Sequence, residues 1–277
     1  MNYRHIYHAG NFADVVKHIT LISLINKLKN KDKPFAVLDA FAGLGIYDLN
    51  ADQAERTGEN KTGINQLYSH LSDDAPELIK QYIRLVKSYN HSDEVTIYPG
   101  SPLIISSMMR SHDRLIACEL HKEDYPSLKH NMALYPNSHI HNIDAYQSIK
   151  AFTPMPEKRG LVVLDPAFEV RDEFDKILSA LKRLKQRFAS GMVMIWYPIK
   201  DQKAINDFYQ KQKEVGYNES LIIEFELLAS ENLGMNKCGI MICNPPFIEA
   251  EIKEAMAYLT KKIYHGKAKS KVWMEKG

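Results

Sequence analysis

Between Phe12 and Leu28, apolar side chains at Val15, Ile19, Ile22, Ile25 and Leu28 recur near the helical repeat, which predicts an amphipathic helix. The pattern then changes. Short apolar runs follow at FAVLDA (35–40), RLIACEL (114–120), SHIHNI (138–143), GLVVLD (160–165) and GMVMIWYP (191–198), separated by segments with helical spacing. Such alternation predicts a mostly parallel sheet with helices covering both faces. LIIEFELL (221–228) and KCGIMIC (237–243) break the rhythm, because the eight residues ASENLGMN between them are too few for a crossover helix. Those two runs predict an antiparallel β-hairpin.

Residues 41–97, between the first run and YPGSP (98–102), are far more than a strand-to-helix loop needs. Within them TGINQLYSHL and APELIKQYIRLVKSY carry helical apolar spacing, and Pro76 sits where a first helical turn tolerates it. The expectation is one domain over 1–277 with a small helical insertion over 50–96.

Composition bounds the picture without naming a function. With 277 residues, 45% hydrophobic and 25% charged, the chain can bury one large core, and no apolar run approaches bilayer-spanning length. The opening MNYRHIYHAGNFADVVKH is polar and His-rich where an export signal would be basic and then apolar. Cys118, Cys238 and Cys243 have no CxxC spacing, which argues against a zinc site and for a reducing compartment, so a cytoplasmic protein is expected. The net charge of +2 is unevenly spread: residues 1–34 hold six Lys or Arg against two Asp, and Lys261 to Gly277 hold six Lys against one Glu. Both ends are candidate contacts for a polyanion.

The chemistry gathers at the ends of the predicted strands. FAVLDA runs into Asp39-Ala-Phe41-Ala-Gly43-Leu-Gly45, an acid followed by a turn whose glycines let backbone approach a ligand. Asp48 stands where a dinucleotide-binding GxGxxG would place its third glycine, which counts against a dehydrogenase. Glu119 closes the next strand and Asp144 follows the one after. Such acids are common helix N-caps, but three at successive strand ends favour an adenosine ligand, Glu119 accepting ribose hydroxyls and Asp144 the adenine amine.

The fourth strand ends in Asp165-Pro166-Ala167-Phe168. This turn resembles the [DNS]-PP-[YFW] motif of amino methyltransferases, with Ala167 in place of the second proline. An exocyclic amine on a base is a poor nucleophile because its lone pair is delocalised into the ring. A carboxylate and a proline carbonyl that accept its two N–H groups help it pyramidalise, and an aromatic ring can stack on a flipped base. Asp165, Pro166 and Phe168 are the candidates for these catalytic roles. Asn244-Pro245-Pro246-Phe247 matches the motif better by letter, but it follows the predicted hairpin, away from the cofactor strands, so Asp165 is preferred.

A parallel sheet ending in a hairpin, with these acids and this turn, is the pattern of the Rossmann-like class I S-adenosyl-L-methionine-dependent methyltransferase fold, for which seven strands are expected. The block Tyr3-Arg4-His5-Ile-Tyr-His8-Ala-Gly10-Asn11-Phe-Ala-Asp14-Val-Val-Lys17-His18, together with DAFAG, Ala54 to Glu59, YPGSP, DPAF and the late NPPF, resembles the RlmJ family of bacterial 23S ribosomal RNA adenine-N6 methyltransferases over essentially the whole chain. The resemblance implies an RNA-binding enzyme that makes N6-methyladenosine from S-adenosyl-L-methionine without a metal, and a monomer is the expectation. It implies that His18, Phe41, Ser101, Glu119, Asp144 and Ala145 contact the cofactor beside Asp39, Gly43 and Asp165. Phe41 stands where a His is expected, so a backbone contact is anticipated there. Asp165 would hold the amine, and Tyr3, with His5 and Lys17 near it, would meet the RNA. His5 and His8 lie three apart, a spacing more suited to ordering a lid than to holding a metal without further ligands. Two rival readings share these residues: a DNA amino methyltransferase, for which the insertion offers little duplex-reading surface, and a non-catalytic adenosine- and RNA-binding protein.

Overall fold

Asn11 starts the first long helix, α1 (Phe12–Lys29), by accepting the Asp14 amide at 2.9 Å with its side chain. The structure, a computed structural model, describes residues 4–92, 94–228 and 235–276. After α1 come β1 (Ala36–Asp39) and β2 (Ile46–Asp48), then α2 (Asp52–Thr57), α3 (Ile64–Ser69) and α4 (Glu77–Lys87). The chain returns through β3 (Ile97–Pro99), which pairs antiparallel with β2, so a two-stranded ribbon brackets the three helices. Regular alternation follows: α5 (Ser101–Met108), β4 (Arg114–Cys118), α6 (Asp124–Asn131), β5 (Ser138–His141), α7 (Ala145–Phe152), β6 (Gly160–Leu164), α8 (Glu173–Arg187), β7 (Met192–Pro198) and α9 (Gln202–Lys213). The chain ends with β8 (Glu219–Leu227), β9 (Lys237–Cys243), α10 (Glu249–Tyr258) and β10 (Ala268–Lys276).

The main sheet has the order β10-β8-β9-β7-β6-β1-β4-β5, with β4, β5, β6 and β7 joined to β1 through parallel ladders. β9 runs antiparallel to both β7 and β8, which is the predicted hairpin; the connection ASENLGMN lies partly outside the described residues. This is the expected Rossmann-like class I order with a correction: eight strands rather than seven. The added strand, β10, lies in the basic tail and pairs antiparallel with β8, where Val272, Trp273 and Met274 are half-buried against the sheet. Lysines mask the strand's alternation in sequence.

α1 also departs from expectation. It is buried on nearly every side, polar Asp14, Lys17, His18, Thr20 and Ser23 included, because α4, α5 and α10 all pack against it. A helix enclosed this way needs no polar face, and its amphipathic reading is corrected to that of a central helix. Among the described residues no helix is long and apolar enough to cross a membrane.

From β1 the chain moves outward to β4 and β5, then crosses back to β6 on the other side of β1. The crevice beyond the carboxyl ends of β1 and β6 is the switch point where such sheets take their ligands. Asn244 emerges at the opposite end, since Cys243 pairs with Val193 near the start of β7.

Candidate active site

A cleft of about 870 Å³ opens over the carboxyl ends of β1, β4, β5 and β6. His5, Lys17, His18, Phe41, Gly43, Ser101, Glu119, Asp144, Ala145, Asp165 and Pro166, all named from sequence, line it. Tyr3 lies outside the described residues.

Gly43 has φ +61°, and a Cβ there would meet the Tyr47 hydroxyl at 2.2 Å, so the turn after β1 admits glycine and little else. The Gly43 amide donates to Glu119 Oε2 at 2.9 Å and the His121 amide to Oε1 at 2.7 Å. Two backbone donors thus orient the carboxylate at the end of β4, while burial raises its pKa. Asp144 caps α7, accepting the amides of Tyr146 and Gln147 at 3.0 Å, so here the N-cap and the cleft-lining acid are one residue. Ser101 opens α5, and Phe41 meets Tyr146 edge-on at 5.9 Å.

Asp39 is different. It is 0% exposed, neither carboxylate oxygen has a hydrogen-bond partner of ordinary geometry among the described residues, and it does not line the cleft surface itself. Burial raises its pKa to about 6, with the nearby Ser101 hydroxyl opposing the rise and the negative charge of Asp165 adding to it.

A buried charge network joins α1 to the turn after β6. Lys17 Nζ lies 2.7 Å from Asp14 Oδ1 and 2.5 Å from Asp165 Oδ2, and Asp14 Oδ2 takes the Gly10 amide at 2.9 Å and faces His5 Nε2 at 3.0 Å. Burial opposes the Lys17 charge, but the two carboxylates outweigh it and hold the ammonium well above its usual range. For Asp14, too, burial is outweighed by His5 and Lys17, which keep it well below the usual carboxylate range. Sequence reasoning misses Asp14 as a site residue, though its spacing three before Lys17 places both on one helical face.

The N-terminal block is pinned over the cleft by separate acids. Arg4 pairs with Glu123 at 2.8 Å and Asp124 at 2.6 Å, while His8 Nδ1 meets Glu59 Oε1 at 3.0 Å. His5 and His8 therefore face different carboxylates.

Phe168, named from sequence as a stacking platform, packs beside the cleft and not on its wall. It is absent from the cleft lining, has φ +50°, and turns its ring onto Phe174 at 5.0 Å and Trp196 at 6.2 Å. An aromatic residue in the left-handed region is an outlier held by surrounding packing. The rival Asn244 lies outside the cleft lining, and its side-chain amide donates to the carbonyls of Ala189 at 2.7 Å and Gly191 at 2.9 Å.

The family model for Ribosomal RNA large subunit methyltransferase D, RlmJ, matches residues 32–275. The chain is 38% identical over 264 residues to Ribosomal RNA large subunit methyltransferase J of Haemophilus influenzae, covering 94% of this chain and 93% of that one. It is 36% identical over 265 residues to the Escherichia coli protein of the same name, covering 95% and 94%. The crystal structure of protein LPL1258 from Legionella pneumophila superposes with a TM-score of 0.89 at 36% identity, covering 98% of each chain.

Proposed function

The chain belongs to the RlmJ family of ribosomal RNA large subunit methyltransferases, and from that premise we propose that its cleft transfers a methyl group from S-adenosyl-L-methionine to the N6 amine of one adenine in 23S ribosomal RNA, in the cytoplasm. The observation that carries the reading is the Asp14–Lys17–Asp165 network, which brings a held carboxylate to the rim of a cleft bordered by strand-end acids.

The residues fit this cofactor. Glu119 and Asp144 are acceptors suited to a ribose and an adenine amine, Gly43 leaves room where a side chain would intrude, and His18 Nε2 is a buried polar atom of the cleft lining without a partner among the described residues. When bound, the cofactor supplies an electrophilic methyl on its sulfonium. The held amine would take that methyl as its bond to sulfur breaks, with S-adenosylhomocysteine as the leaving product. Asp165 and the Pro166 carbonyl accept the amine's two N–H groups and draw its lone pair out of conjugation. Methylation leaves the nitrogen positively charged and far more acidic than the neutral amine. Asp165, held in place by Lys17 and accepting from that nitrogen, takes the proton after methyl transfer.

Labelled S-adenosyl-L-methionine offered with protein-free 23S RNA lacking the modification, with assembled large subunits and with duplex DNA tests the reading. Label is expected in RNA, as N6-methyladenosine at one position by mass spectrometry; label confined to DNA, or tight cofactor binding with no transfer to any of the three, overturns it.

A further inference from the structure

A neutral imidazole carries its proton on one nitrogen, and the partner of the other nitrogen decides which. His18 Nδ1 lies 2.8 Å from the Tyr98 hydroxyl, which lies 3.0 Å from the Tyr82 hydroxyl. All three side chains are buried, with Tyr98 stacked on the imidazole at 5.5 Å and Tyr82 edge-on at 6.4 Å. Burial, with Lys17 adjacent, pushes His18 down to about 3, so the ring is neutral.

The chain of hydroxyls has two possible directions. If Tyr82 donates to Tyr98 and Tyr98 donates to Nδ1, both O–H groups are used and the imidazole proton sits on Nε2. If Nδ1–H donates to Tyr98 and Tyr98 to Tyr82, the Tyr82 O–H is left over, because no other hydrogen bond of Tyr82 exists among the described residues. Each direction leaves one donor over, the Nε2–H of a cleft-lining side chain in the first and the core-buried Tyr82 O–H in the second; a ligand in the cleft can take up only the former, so the penalty for a buried, unmade O–H selects the first direction. Nε2 has no partner among the described residues, and His18 lines the cleft.

We propose that Tyr98, backed by Tyr82, is a positioning residue that locks His18 as the Nε2–H tautomer, presenting a neutral donor to the carboxylate at the amino-acid end of the cofactor. The acceptor named here rests on the S-adenosyl-L-methionine reading. Glu119 and Asp144 serve groups that donate, so the carboxylate needs donors elsewhere. His18 and Ser101, on the mutually packed helices α1 and α5, supply them. Tyr82 belongs to α4 and Tyr98 to β3, so the segment between β2 and β3 reaches the cofactor site through this relay.

Long-range proton–nitrogen spectra of the ligand-free protein assign the tautomer directly, a proton on Nε2 and a bare Nδ1 being expected. Calorimetry then compares S-adenosylhomocysteine with 5′-methylthioadenosine, which has the nucleoside but no amino acid. Tyr98→Phe is expected to weaken S-adenosylhomocysteine by about tenfold, the loss of one oriented hydrogen bond, while 5′-methylthioadenosine stays within about twofold. Tyr82→Phe, which leaves Tyr98 able to donate to Nδ1, has the smaller effect. A proton on Nδ1, or equal loss for both ligands, overturns the proposal. If the unaltered protein binds neither ligand, the cofactor reading and the named acceptor fall together, and the spectrum still decides the tautomer.

Discussion

Asp39 and Asp165 occupy neighbouring strand ends, yet their surroundings give them different work. Asp165 has a cation at 2.5 Å; Asp39 is enclosed and forms no ion pair among the described residues. Because burial raises the folded-state pKa of Asp39 to about 6 from an ordinary 3.8, its favourable contribution is fully present below about pH 4 and is lost as pH rises through 6. Asp39→Asn is therefore expected to stabilise the ligand-free protein relative to wild type, by a margin that grows from about pH 4 to 6 and levels off above, on the order of 3 kcal/mol at most. Denaturant titrations across that range check it; a margin independent of pH rules out an ionising Asp39. Asp165→Asn keeps the shape of the turn but removes the charge, so methyl transfer should vanish while cofactor affinity stays within about tenfold, or 1.4 kcal/mol. Full turnover in a folded variant removes Asp165 from the mechanism. Acid-rich strand ends are readable in the sequence. That one of those acids is paired and another orphaned is not, because Lys17 stands 148 residues from Asp165.

At the scale of elements, the runs of consecutive apolar residues predict the central strands well, because strands covered on both faces cannot afford polar positions. The edge strand β10 escapes, since a strand with one neighbour carries lysines that keep its open side from pairing with another chain. The helix over Phe12–Leu28 is legible, but its environment is not: periodicity reports which faces are apolar, and only packing shows that the polar residues of α1 are buried with partners. The two proline turns separate on position in the sheet. Asn244→Ala removes two hydrogen bonds that tie the turn after β9 to the segment entering β7, at a position with φ +53°, and should cost about 1–3 kcal/mol of stability with kcat unchanged. A large fall in kcat without loss of stability would transfer catalytic importance to that turn.

Across the whole molecule, β10 lies four strands beyond β6, so its lysines stand roughly 19 Å along the sheet from the switch point. They are too far to touch the reacting base and well placed for the backbone of a long polyanion. Replacing Lys269, Lys271 and Lys276 with Gln should weaken RNA binding at low salt and leave kcat at saturating RNA unchanged. The salt dependence should flatten by up to about 0.9 in slope for each phosphate that these lysines neutralise. An unaltered slope excludes this edge from the RNA surface.

The sequence by itself determined the parallel sheet, the hairpin, the acids at successive strand ends and the proline turn after β6, because local periodicity and the residues that end strands are properties of adjacent positions. The long N-terminal block carried the family resemblance for the same reason. Tertiary structure alone decided that Lys17 bridges Asp14 to Asp165, that Phe168 turns from the cleft, and that Tyr82 and Tyr98 stand behind His18. Each of these depends on which side chains distant in the chain are driven into one low-dielectric interior, where every charge and hydroxyl must find a partner or remain without one.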